Sequence, residues 1–136
     1  MKFLLKTWIP LLFIMSLLVA ACSPVEESNT ASIDGGIFFD CDKDGECADD
    51  EDGIAGMCVR LYFGSCGENL IQNHTTNENG EFTFSALAAG EYCVMTDYDL
   101  RTCGFDGNHP TTSISRHVTL ENGMKAEIEW FGFGKL

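Results

Sequence analysis

The segment Asp40-Cys41-Asp42-Lys43-Asp44-Gly45-Glu46-Cys47-Ala48-Asp49-Asp50-Glu51 carries the strongest chemical signal in the chain. It satisfies the pattern D-x-[DN]-x-[DN]-G-x5-E without a gap. That spacing suits calcium, a hard cation that takes about six to eight oxygens, because a tight loop aims carboxylates inward at alternate positions. On this reading Asp40, Asp42 and Asp44 supply one oxygen each and Glu46 its backbone carbonyl. A water near Ala48 comes next, Glu51 gives both carboxylate oxygens, and Gly45 permits the sharp turn between them. Eight acidic residues fall between Asp40 and Asp52 against Lys43 alone, and without a cation their mutual repulsion would be costly. Charge runs are usually solvated surface loops, but Gly45 and Glu51 in register with the template favour the ion. Extracellular sites of this kind bind at about 0.1 to 1 mM, which suits a permanent structural ion better than a signal.

Seven cysteines are the second signal. The N-terminus has a basic start (Lys2, Lys6), an apolar run from Trp8 to Val19, and small residues Ala20 and Ala21 ahead of Cys22, which reads as a secretory leader over residues 1–21. The apolar run is about a dozen residues, short of the roughly 20 that a bilayer core requires. Val19-Ala20-Ala21-Cys22 resembles the bacterial lipobox, which implies a lipidated (palmitate-bearing) Cys22 as the first mature residue and attachment to a membrane through its acyl chains. Ser23 gives no inner-membrane retention signal of the Asp type, so the outer membrane or cell surface is the expected destination.

The other six, Cys41, Cys47, Cys58, Cys66, Cys93 and Cys103, form the even count that small exported domains use for disulfides. No C-x-x-C occurs, and His74, His109 and His117 lack ligand spacing, which argues against zinc. The sequence leaves the connectivity open. Strand parity turns Cys58 and Cys93 to the outer face of a sheet, where a bond between them would lie. Cys41 and Cys47, six residues apart in one loop, make the better local pair, leaving Cys66 and Cys103 to join.

The elements that position these residues are short and β-type. Residues 22–33 are polar and read as a lipidated tether; 34–136 read as one domain. Strands are expected over Gly36–Phe39, Met57–Phe63, Leu70–Thr75, Glu81–Ser85, Glu91–Thr96, Ser113–Leu120 and Lys125–Phe131, separated by Gly, Asn and Asp turns. Met57, Val59 and Leu61 alternate with Cys58 and Arg60, and Ala126, Ile128 and Trp130 with Glu127 and Glu129, which is the period of a half-buried strand. About seven such strands without helical spacing point to an all-β fold, a single antiparallel sandwich.

The order of motifs resembles the B-type domain of serine-aspartate-repeat bacterial surface adhesins. The matching stretches are Phe39-Asp40, Asp40 to Glu51, Gly53-Ile54-Ala55-Gly56-Met57-Cys58-Val59-Arg60-Leu61, Thr76-Asn77-Glu78-Asn79-Gly80-Glu81-Phe82-Thr83-Phe84, and Leu87-Ala88-Ala89-Gly90-Glu91-Tyr92-Cys93-Val94. The resemblance covers about residues 34 to 132 and implies a prealbumin-like, Ig-like sandwich related to collagen-adhesin B domains. It implies a calcium-stiffened stalk, spacer or ligand-presenting module. The chain departs from the pattern in having one copy and six cysteines. No lysine among Lys43, Lys125 and Lys135 sits in a first core strand, where some relatives close an isopeptide bond.

A net charge of −13 excludes nucleic acid and anionic lipid surfaces as partners. Loss of the leader removes Lys2 and Lys6 and no acidic residue, which takes the charge to −15. Neither G-x-S-x-G nor H-E-x-x-H occurs, and His74 and His109 read as surface residues, so no catalysis is expected. The function expected is a monomeric surface module with a structural or adhesive role. The alternative is a lipoprotein that binds carbohydrate or protein through the loop 97–110, with Tyr98, Arg101, Phe105 and His109.

Overall fold

A computed structural model describes residues 30–96 and 108–135. The expected leader over residues 1–21, Cys22, and Tyr98, Arg101, Cys103 and Phe105 lie outside the described residues. Nine strands run through the described residues: β1 (Ala31–Phe39), β2 (Cys58–Phe63), β3 (Asn69–Thr75), β4 (Glu81–Leu87), β5 (Gly90–Thr96), β6 (Asn108–Pro110), β7 (Ser115–Leu120), β8 (Lys125–Glu127) and β9 (Phe131–Lys135). No helix occurs among them.

The strands form two sheets. One has the order β4-β1-β9-β6, with β8 also pairing β1; the other has the order β3-β2-β5-β7. The second sheet is antiparallel throughout. The first is mixed, because β1 runs parallel to both β8 and β9 while pairing antiparallel with β4. The core lies between the sheets, with Ile33, Ile37, Phe84 and Phe131 from the first and Val59, Leu61 and Val94 from the second, all fully buried. The all-β sandwich expected from the sequence is the fold observed.

The alternation read in β2 holds, since Met57, Val59 and Leu61 are buried while Arg60 is half-buried. The strand bounds differ most from expectation at the two ends of the sandwich. β1 starts at Ala31 rather than Gly36, so Ala31 and Ile33, placed in the tether by the sequence, are core residues. The final run divides into β8 and β9, and β9 continues through Gly132 and Gly134, whose missing side chains admit Thr111 and Phe38. His109, placed in a loop, stands exposed on β6, and His74 lies on β3 with its ring edge-on to Phe84 at 5.0 Å.

Cys66 is bonded to Cys93, with Cα atoms 5.2 Å apart. Cys93 therefore pairs with neither Cys58 nor any more distant cysteine, and Cys66 does not join Cys103. The cause is local: Tyr62 on β2 is the register partner of Cys93 on β5, and the turn after β2, with Gly64 and Gly67 both at positive φ, brings Cys66 back over it. Cys58 is disulfide-bonded as well.

Candidate metal centre

The acidic loop leaves the sandwich at the end of β1 and returns where it began. Phe39 N donates to Asp52 O at 2.8 Å, Ile54 N donates to Ile37 O at 2.8 Å, and Phe38 and Gly53 form an isolated antiparallel bridge. Asp40 N donates to Phe133 O at 2.9 Å, so the first acidic residue is still held by the sheet. A loop with both ends pinned loses less entropy when its side chains converge.

Within the loop the carboxylates organise the backbone. Gly45 N donates to Asp40 Oδ2 (3.0 Å), Asp44 N to Asp42 Oδ1 (3.1 Å) and Glu46 N to Asp44 Oδ1 (2.8 Å). Glu51 reaches across and accepts from Cys41 N at 2.8 Å and Ala48 N at 3.1 Å, one through each oxygen. Lys43 and Gly45 take positive φ values of 62° and 80°, the left-handed geometry that folds the loop back on itself. Carboxylate oxygens of Asp40, Asp42 and Asp44 all lie within 4.8 Å of one another. The structure thus brings three of the sequence-predicted ligands together, with Glu51 closing the loop behind them. Glu46 is exposed, and its backbone N–H donates to Asp44 Oδ1.

Asp40 differs from its neighbours. It is fully buried, and its Oδ1 has no hydrogen-bond partner. The Thr111 hydroxyl is buried too and lies close enough to lower the Asp40 pKa, although the pair falls short of hydrogen-bond geometry. Burial pushes the Asp40 carboxyl up, but the Thr111 hydroxyl and the backbone amides of Gly45 and Lys43 outweigh it and hold the carboxyl below its ordinary range. A buried, ionised oxygen without a donor is costly unless a cation meets it. At Asp42 the Asp44 amide pulls the pKa down, yet burial and the charges of Asp44, Glu51 and Asp40 together raise it. The three aspartates form a hard-oxygen donor set with an uncompensated charge, the chemistry a divalent cation satisfies.

Cys41 and Cys47 are free thiols, both exposed. The expected bond between them is not formed, and the Glu51 carboxylate closes the loop in its place. Partial desolvation by the folded loop first, then the surrounding carboxylates, raise both thiols above their usual range. One contact had no local sequence signal: His117 Nε2 on β7 lies 3.6 Å from Cys66 Sγ, because His117 faces Cys93 across the β5–β7 ladder.

A family model for the SdrD B-like domain matches residues 31–127. A fibrinogen-binding protein of Staphylococcus epidermidis is 41% identical over 61 residues, 45% of this chain and 5% of the relative. Among solved structures, GBS52, the minor pilin of Streptococcus agalactiae, superposes with a TM-score of 0.55 at 16% identity, covering 79% of this chain and 45% of the pilin. Shaft pilin SpaA of Lactobacillus rhamnosus GG gives a TM-score of 0.55 at 12% identity, covering 78% of this chain and 51% of that one. The pilins share the fold, and the chain spans about half of each and a small part of the staphylococcal protein.

Proposed function

Because the chain belongs to the SdrD B-like domain family, we propose that it is a calcium-stiffened structural or adhesive module of a bacterial surface, tethered through a lipid on Cys22 and without catalysis. The observation that carries the calcium reading is the orphaned Oδ1 of buried Asp40, set among the Asp42 and Asp44 carboxylates. Asp40, Asp42, Asp44, the Glu46 carbonyl and Glu51 would hold the ion, which supplies the charge that cancels their repulsion. The chain's own residues do the mechanical work. The loop base is stitched to β1 by the Phe39–Asp52 and Ile54–Ile37 bonds, so fixing the loop fixes the junction between β1 and β2. The staphylococcal relative is named for binding fibrinogen, which favours an extracellular protein as the partner.

Limited proteolysis tests the loop. Cleavage between Cys41 and Asp52 is expected to slow roughly tenfold or more when calcium replaces chelator, since a ligand that binds only the closed loop depopulates its openings. Equal cleavage in both conditions would count against the ion. The tether is tested by labelling cells with radioactive palmitate: the wild-type chain is expected to carry the label and Cys22→Ser to lose it. A wild-type chain without label refutes the anchor.

A further inference from the structure

We propose that the cleft between the acidic loop and the β7–β9 end of the sandwich is a binding site for an acidic sugar, a uronic-acid unit whose carboxylate is held by Arg116. The cleft measures about 630 Å3 and is lined by Asp44, Glu46 and Cys47 of the loop, Ser113 before β7, Glu129 and Trp130. Arg116, on β7, forms its inner wall.

Arg116 is fixed before any ligand arrives. Its side chain is 16% exposed and its guanidinium lies 4.8 Å from the centroid of the Phe131 ring. Nη1 donates to Ser113 O at 2.8 Å and Ser115 O at 3.1 Å, and Nη2 donates to Trp130 O at 3.2 Å. Guanidinium carries five N–H donors, so these bonds leave the Nε–H and one Nη2–H without an acceptor among the described residues. The Nε atom is buried and unpartnered. The unpartnered Nε–H lies on the edge it shares with Nη2, the edge that grips a carboxylate in bidentate fashion. An immobile, desolvated fork of this kind binds without the usual ordering cost.

Glu129 marks what belongs there. Its carboxylate stands 3.9 Å from Nε, too far for a hydrogen bond, and its side chain is 89% exposed. It acts as the chain's own weak stand-in for a carboxylate that would sit closer. Around the fork, the half-buried Trp130 presents an aromatic surface for the apolar face of a sugar ring, while the exposed Glu46 carboxylate and the Ser113 hydroxyl are acceptors for ring hydroxyls. A bare carboxylate would use the fork alone, and a neutral sugar would leave it unpaired.

Asp44 and Glu46 line the cleft, and their carboxylates repel an anion. On the reading that the loop holds calcium, the ion cancels this repulsion and tightens sugar binding; that coupling rests on the calcium reading, and the Arg116 fork does not. The test is titration of the full detergent-solubilised chain with glucuronate, followed by NMR, beside arms with glucose, acetate and N-acetylglycine, each in calcium and in chelator. Glucuronate is expected to bind in calcium roughly tenfold or more tightly than any of the other three. Glu129→Ala, a change at an exposed side chain, is expected to tighten glucuronate about twofold to fivefold by removing the competitor. Arg116→Lys is expected to lose roughly tenfold or more. Because Arg116 also supports the fold, Glu129→Ala carries the test if Arg116→Lys does not fold. Glucuronate binding no tighter than acetate, N-acetylglycine binding more tightly, or an unchanged Glu129→Ala would overturn the site. Equal glucuronate binding in calcium and chelator would uphold the fork and refute only the coupling.

Discussion

Gly53→Ala is expected to lower the melting temperature by about 10 to 20 °C, the equivalent of roughly 3 kcal/mol in a domain of this size. A Cβ at Gly53 would stand 1.8 Å from the carbonyl oxygen of Asn79 and 2.4 Å from its carbon, an overlap of backbone with side chain that no rotamer change relieves. Asn79 cannot retreat easily. Its turn is closed by Gly80 N donating to Asn77 O and is fastened to β1 by Ile37 N donating to Gly80 O at 2.8 Å. Gly80 faces the same crowd from the other side, since a Cβ there would meet Ile37 O at 2.4 Å and Ile54 N at 2.6 Å. Three backbone segments thus touch directly, and this contact is the base on which the acidic loop stands. Gly56→Ala is the control: nothing lies within 4 Å of that Cβ, and only the positive φ of 74° opposes it, a cost of about 1 to 2 kcal/mol. Thermal melting of both variants checks the expectation, which fails if Gly53→Ala melts no lower than Gly56→Ala.

The Gly53–Asn79 contact also shows where sequence reasoning stops. The motif residues Gly53 and Gly80 stand out in the chain as separate turn signals, but that they pack against each other follows only from the fold. The spacing from Asp40 to Glu51 was legible because a metal loop is local, with every donor reaching its neighbour through a few residues of backbone. Alternation in Met57, Val59 and Leu61 was legible for the same reason. The expected strand began at Gly36, and the paired glycines Gly35 and Gly36 obscured its continuation back to Ala31. In the fold those glycines make room for the Phe82, Ile128 and Trp130 side chains, so the strand runs straight through them. Phe131-Gly132-Phe133-Gly134 was obscured in the same way. The Cys66–Cys93 bond and the Arg116 fork depend on residues far apart in the chain, and no local pattern announces either. Cys41 and Cys47 gave a misleading local signal: six residues apart in a tight loop, they looked paired, whereas the Glu51 carboxylate holds that loop.

On the proposed function, carboxylates gathered at the end of β1 hold a calcium ion that stabilises the whole domain. Asp40 supports it with an unpartnered buried oxygen, and Asp42 with a pKa raised by burial and like charges despite the Asp44 amide that lowers it. The most direct measurement is calorimetric melting of the chain in calcium and in chelator. With a dissociation constant of about 0.1 mM, calcium at a hundredfold excess over that value stabilises the folded state by about 2.7 kcal/mol. That is a rise of about 10 to 20 °C in melting temperature. Asp42→Ala combined with Glu51→Ala is expected to fold and to melt at the same temperature in both conditions. A wild-type chain whose melting temperature is indifferent to calcium would contradict the account.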